Sequence, residues 1–262
     1  MLQAVELIGP SGAGKTAIYQ ALKSKWRPEY NWVTFDDHKY SGKRVDSAFF
    51  NAIKNRISKI ISPLENRTRA EMNPQWKFID YDNRIYLGDG YDYLKTDLMD
   101  LVEEHCSKGF DGSDKRFNTL YMLMWSMGHL DKIKSRKNDQ RFCILKQGEG
   151  LVSRIMHLCT PSFDEKALHK YMDTIPLPEV IFKLDISVEE VMKRIEHRNR
   201  TSSLHKGMDA EVILNYTLKT HEYLNRACEI ASLDGTRVFH IDAEVEVEDS
   251  TDQIIECLTS LA

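Results

Sequence analysis

"GPSGAGKT" spans residues 9–16, close to the first residue of the sequence. It meets the pattern G-x-x-x-x-G-K-[ST] in full, through Gly9, Gly14, Lys15 and Thr16. Glycines at these places let backbone N–H groups turn inward around phosphate oxygens. The N-terminus of a following helix adds its partial positive charge. Lys15 is suited to neutralise β- and γ-phosphates and Thr16 to hold Mg²⁺, with Pro10, Ser11, Gly12 and Ala13 completing the cradle. The surroundings agree. "AVELI" (4–8) reads as a short buried strand, and Ala17, Ile18, Ala21 and Leu22 recur at helical spacing after the loop. An ordinary glycine-rich turn gives no reason for Lys15 and Thr16 to follow in register, so the stretch is read as a site for a nucleoside triphosphate.

Working outward, "NWVTF" (31–35), "RFCILKQ" (141–147), "PEVIFKLDI" (178–186) and "TRVFHID" (236–242) read as four further strands. Helical patterns follow them in "EGLVSRIMHL" (149–158), "SVEEVMKRIEHR" (187–198), "MDAEVILNYTLKTHEYLNRACEIA" (208–231) and "STDQIIECLTSL" (250–261). Ser187 is placed as an N-cap, with Glu190 completing a capping box. Five short apolar strands separated by helices predict a parallel sheet covered on both faces, the three-layer α/β fold of phosphate-loop NTPases. The regular alternation breaks between strands two and three. There a long helical stretch contains "AFFNAIKNRISKII", "YDYLKTDLMDLVEEH" and "RFNTLYMLMWSMGHLDKI", with "KGFDGSD" (108–114) as its clearest internal loop.

The totals fit one domain over 1–262 with a sizeable insertion. The net charge of −4 does not mark the whole chain as a nucleic-acid binder. The charge is uneven, however. Residues 39–77 hold nine Lys or Arg against three acids, and residues 78–114 ten acids against three bases. Solvated helix faces explain this, and so does a basic rim for a phosphate-bearing acceptor. The five cysteines form no C-x-x-C, which argues against a disulfide framework or a zinc site and for a reducing compartment. A strand starting near Ala4 leaves no room for a signal peptide, and no apolar run approaches a membrane span, so a cytoplasmic protein is expected.

No N-K-x-D and no L-S-G-G-Q appear, which disfavours GTPases and transporter ATPases. The layout resembles the nucleoside and nucleotide kinases, in particular the thymidylate-kinase-like group, over most of the chain outside 41–140. "TFDDHKY" (34–40) looks like the carboxylate-bearing stretch that ends strand two in uridine-kinase-like enzymes, although His38 and Lys39 stand where that family has an aromatic. The resemblance implies that Asp36 is the base for an acceptor hydroxyl, with Asp37 beside it. A turn-capping Asp pair is the other reading. "GEGLVSR" (148–154) looks like the carboxylate-then-arginine pattern after strand three, although Arg154 lies five residues beyond Glu149. The resemblance gives Glu149 a place at Mg²⁺ or the acceptor and Arg154 a phosphate. No acid ends strand three where a Walker B would supply one, and a helix-start Glu favoured by the dipole explains Glu149 as well. "KRIEHRNR" (193–200) looks like the arginine-bearing lid, which implies that Arg194, Arg198 and Arg200 attend the phosphates from a lid at about 198–208. The spacing puts Arg194 and Arg198 on one helix face. A solvated basic helix end is the alternative.

By the same resemblance, 41–140 is a helical acceptor-binding insertion, with Arg69, Trp76, Arg116, Tyr121 and Trp125 as pocket candidates. The aromatic and Met stripe of "RFNTLYMLMW" also reads as plain core. "DAEVEVED" (242–249) lies where such folds pass the adenine. The expected activity is phosphoryl transfer from ATP, with Mg²⁺, to a hydroxyl or phosphate of a nucleoside, nucleotide or similar small molecule. Two rivals stand. A kinase acting on nucleic acid is suggested by the basic 39–77 segment and "KIKSRK" (132–137). A nucleotide-binding regulator or NTPase without an acceptor is kept open by the missing Walker B acid.

Overall fold

Residue-by-residue alternation along one strand sets up the whole molecule. In β1 (Gln3–Ile8), Ala4 and Ile8 enter one hydrophobic core while Val5 and Leu7 enter another. A strand buried on both faces belongs in the middle of a parallel sheet, and that is where it lies. The computed structural model describes residues 2–35, 92–134, 136–146, 150–198, 205 and 207–261. The expected helix "AFFNAIKNRISKII" and the basic 39–77 segment lie outside the described residues.

In chain order the elements are β1, α1 (Lys15–Lys25), β2 (Trp32–Thr34), α2 (Asp92–His105), α3 (Arg116–Lys134), β3 (Phe142–Ile144), a 3₁₀ turn (Val152–Arg154), α4 (Ile155–Leu158), α5 (Glu165–Thr174), β4 (Val180–Asp185), α6 (Val188–Glu196), α7 (Ala210–Leu233), β5 (Arg237–Asp242) and α8 (Val247–Ser260). The strands form one parallel sheet in the order β2-β3-β1-β4-β5. Val5 of β1 stands beside Ile144 of β3 and Val180 of β4. From β1 the chain passes over β3 to reach β2, and from β3 it passes over β1 to reach β4. The crevice at the carboxyl end of β1 is therefore the switch point, where open α/β sheets bind ligands.

The smaller core is made by α1, through Ile18, Tyr19 and Leu22, with α8, through Ile254 and Leu258, and by Val191 of α6. The larger core packs α2, α3, α4, α5 and α7 against the opposite face. The three-layer arrangement expected from the sequence is thus the one formed, with α2 and α3 inserted between β2 and β3. The glycine loop between α2 and α3 is closed by Gly109 N–H to Ser113 O (2.8 Å) and Gly112 N–H to Gly109 O (2.9 Å). All five cysteines are free. Cys106, Cys143, Cys159 and Cys228 are buried, and Cys257 is half-buried.

Three expectations need correction. The helix expected over 149–158 is a 3₁₀ turn followed by a single α-turn, because Val152 and Ser153 give their N–H groups to the side chain of Glu6 instead. The capping box at α6 is half formed. Ser187 accepts from Glu190 N–H (3.3 Å), but Ser187 N–H donates to Glu244 Oε1 (2.7 Å) and not back to Glu190, whose carboxylate is drawn to Lys193 and Arg194. Arg198 falls beyond the end of α6, which closes with Arg198 N–H on Ile195 O (3.2 Å), so it does not share a helical face with Arg194. One element lacks a counterpart in the sequence reading. α5 starts at an Asp164 cap that accepts from Ala167 N–H (2.8 Å), and it buries Ala167, Leu168, Tyr171 and Met172.

Candidate functional site

The loop after β1 needs backbone that side chains resist. Gly12 and Gly14 have φ of 112° and 88°. A Cβ on Gly12 would also meet Val191 Cγ1 at 3.2 Å, so α6 packs directly on the loop. Gly14 caps α1 with no side-chain hydrogen bond, and the first turn of α1 holds no acid. The helix start thus presents its N–H groups and its positive end without an internal anion, which suits phosphate. Thr16 is exposed at that first turn. Lys15 is buried and folds back on the loop, donating from Nζ to Gly9 O (2.5 Å) and Pro10 O (2.8 Å). Burial, and then the charge of Arg198, push its amine down to about 7.

α6 brings a second cation to the loop. Arg194 donates from Nε to Glu190 Oε1 (2.9 Å) and from Nη2 to Ala243 O (2.9 Å). Its Nη1 lies 3.8 Å from where a Cβ on Gly14 would sit. Ala243 belongs to the segment between β5 and α8, the one expected near adenine. Glu244 in the same segment holds the start of α6. Arg198 is exposed, and its charge acts on both Lys15 and His205. His205 is buried against the Tyr216 ring (5.8 Å), and burial, with Arg198, pushes its imidazole down to about 4.

A different set of groups lies on the β3 side. Arg154 is buried, donating from Nε to Ser126 Oγ (2.7 Å) and from Nη1 to His157 Nε2 (3.3 Å). His157 must then carry its proton on Nδ1 and stay neutral, as burial and the Arg154 charge ensure by pushing it down to about 3. Burial raises the Tyr121 phenol and the Arg154 charge opposes that, so these two groups share a field. From Tyr121 a row of rings runs along α3: Trp125 at 6.2 Å, then His129 4.9 Å from Trp125, then Phe35 4.5 Å from His129. Phe35 immediately follows β2.

The structure therefore brings Lys15 and Arg194 together at the loop, with the charge of Arg198 acting there, and gathers Tyr121, Trp125 and Arg154 in a second group. It does not bring Arg116 to that group. Arg116 grips Asp114, with Nη2 2.6 Å from Oδ2 and Nε 3.1 Å from both oxygens. Asp36, Asp37, Arg69, Trp76, Glu149 and Arg200 lie outside the described residues. The sequence reading passed over Ser126, His129, His157 and Glu6. Of these, Glu6 carried a signal: it is the lone charge in an apolar strand. A cavity of about 40 Å³ beside His157, lined also by Phe110, Thr119, Cys159, Thr160 and Tyr216, has room only for water-sized molecules. Among the described residues, no helix is long and apolar enough to cross a membrane.

No family model matches the chain, and no curated protein matches it. Among solved structures, the chain is similar to a deoxyadenosine kinase from M. mycoides with bound dATP, at 15% identity and a TM-score of 0.49. That match covers 98% of this chain and 99% of the other. It is similar as well to the deoxyadenosine kinase from M. mycoides with dCMP and a flexible dCDP, at 16% identity and a TM-score of 0.48, over 99% and 100% of the two chains.

Proposed function

We propose that the protein is an ATP-dependent kinase that transfers the γ-phosphoryl group to a nucleoside, a nucleotide or a similar small molecule. The observation that carries the reading is the pairing of two cationic groups across neighbouring strands. The phosphate loop with Lys15 follows β1, and buried Arg154 follows β3 within reach of an aromatic row. A nucleotide-binding regulator needs only the first of these.

In this reading Lys15 leaves the carbonyls of Gly9 and Pro10 for the β- and γ-phosphate oxygens and is held protonated there. Arg194 and Arg198 add charge stabilisation from the α6 side, with Arg200 next in the chain, and a cation so placed helps most as charge spreads in the transition state. Thr16 is the residue that would hold Mg²⁺, which would neutralise charge on the phosphates. Arg154 orients the acceptor, and Tyr121 and Trp125 offer it an aromatic wall. Asp36 takes the acceptor proton where the acceptor is a hydroxyl, with Asp37 and Glu149 as the nearest substitutes.

The test is transfer of label from γ-labelled ATP in the presence of Mg²⁺ to a panel of nucleosides, nucleoside monophosphates, sugars and 5′-hydroxyl oligonucleotides. A labelled nucleoside or nucleotide is the expected outcome. Hydrolysis at a good rate with no acceptor ever labelled would overturn the kinase reading in favour of an NTPase. Labelling of the oligonucleotides alone would move the acceptor to nucleic acid.

A further inference from the structure

Glu6 is a charged residue in the middle of the central strand, three places before the first glycine of the phosphate loop. Strand alternation sends its side chain, with Ala4 and Ile8, towards the larger core, and only 2% of it is exposed. A carboxylate there is costly unless donors meet it, and an apolar side chain would serve packing better. All three donors that meet it come from one short segment between β3 and α4. Ser153 gives its N–H (2.6 Å) and its hydroxyl (2.6 Å) to Oε1, and Val152 gives its N–H (3.3 Å) to Oε2. Gly150 presses on the same carboxyl so closely that a Cβ would lie 1.9 Å from Cδ. From the other side, the Tyr171 hydroxyl donates to Leu151 O (2.5 Å). Residues 150–153 are thus pinned between β1 and α5.

The next residue is Arg154, whose N–H closes the turn on Leu151 O (3.0 Å) and whose guanidinium runs to Ser126 and His157. The turn is 3₁₀ and the α-helix after it has one turn, so helical regularity does little to fix the direction of that side chain. We propose that Glu6 is a positioning residue for the acceptor side of the site: through Val152 and Ser153 it sets the backbone from which Arg154 reaches the seam between α3 and α4. The inference rests on the kinase reading above. It assigns a role to a strand residue that touches neither ATP nor acceptor.

The experiment compares wild type, Glu6→Gln, Glu6→Leu and Ser153→Ala with ATP and the best acceptor of the panel. It measures acceptor KM and kcat, binding of a fluorescent ATP analogue, and the thermal midpoint. Expected are a rise in acceptor KM of about tenfold in Glu6→Gln and ATP-analogue affinity within twofold of wild type. A smaller rise is expected in Ser153→Ala, and combining Glu6→Gln with Ser153→Ala should be no worse than Glu6→Gln alone. Glu6→Leu leaves the Val152 and Ser153 donors unmet and should lower the thermal midpoint as acceptor KM climbs, so the near-isosteric Glu6→Gln, which still offers those donors an amide oxygen, is the variant that separates positioning from folding. Acceptor KM unchanged in Glu6→Gln beside an active wild type overturns the inference alone. So do losses in ATP-analogue and acceptor binding that simply follow the thermal midpoint. A wild type that binds the ATP analogue and phosphorylates nothing in the panel overturns the kinase reading, and the role given to Glu6 falls with it. If Glu6→Gln and Glu6→Leu do not fold, Ser153→Ala decides by the same criteria.

Discussion

The two halves of the site are built by opposite means. The phosphate loop draws on eight consecutive residues, positive-φ glycines and the start of one helix, and its buried lysine bonds to its own loop. The β3 side draws on Phe35, on Tyr121, Trp125, Ser126 and His129 of α3, on Arg154 and His157, and on Glu6 beneath them. There, side chains from four separate stretches orient one another. A site made of backbone recognises what every nucleoside triphosphate shares. A site made of a mutually bonded side-chain network can be altered one residue at a time, and under the proposed kinase reading that is the half in which acceptor choice would lie.

The largest expected break falls on the loop. Lys15→Ala should cut transfer by about 10³-fold. Circular dichroism and thermal melting should remain those of the wild type, because the lost amine is buried at a depressed pKa and bonds only to local carbonyls. Full activity in this variant would sink the loop assignment.

The second break separates the halves. Arg154→Lys keeps the charge but loses the planar fork that reaches Ser126 and His157 together. Acceptor kcat/KM should fall about 10- to 100-fold, and ATP affinity should hold. Equal losses in both would show that the halves are not independent.

The third prediction uses pH. The Lys15 amine titrates at about 7 in the empty protein, and phosphates favour its charged form, so ATP binding should take up a proton. Affinity should then fall as pH rises above 7, by up to about tenfold per unit, until the amine's pKa in the complex is reached. Calorimetry in buffers of different ionisation enthalpy reads the proton directly, and Lys15→Met should abolish the uptake. The sign for folding is the reverse. A depressed amine means that the unfolded chain binds more protons between about 7 and its ordinary 10.5, so the stability of the empty protein should rise with pH over that window.

The smallest effect is expected at the start of α6. Ser187→Ala removes the cap of α6 and should cost about 1 kcal/mol in denaturant unfolding, with little change in acceptor KM. A large change in acceptor KM would mean that α6 serves both halves.

This division also decides what was legible in the sequence. The loop could be read from its letters because its geometry is set by eight consecutive residues. All five strands could be read too, since β1, β3 and β4 are near-continuous apolar runs buried on both faces. α5 escaped because it is short, and its Asp164 cap and four buried positions carry no motif. The turn at 152–154 escaped because its cause lies nearly 150 residues earlier, in Glu6, and sequence spacing carries no trace of such a bond. Arg154 was singled out by its type, while its partners Ser126 and His157 were not. A serine inside an apolar helix and a histidine three places after an arginine acquire meaning only when α3 and α4 meet.

The buried cysteines add a reporter that needs no engineering. Burial pushes the thiols of Cys106, Cys159 and Cys228 up to about 12, so in the closed protein they are both shielded and protonated. Half-buried Cys257 is the thiol set to react first. The rate at which the other three take up a thiol reagent is then a clock for local opening of the helical layer. Cys106 and Cys159 sit by α2 and the small cavity, and Cys228 sits on α7, so mass spectrometry of the labelled chain, with and without ATP or acceptor, would show which part of that layer each ligand quiets.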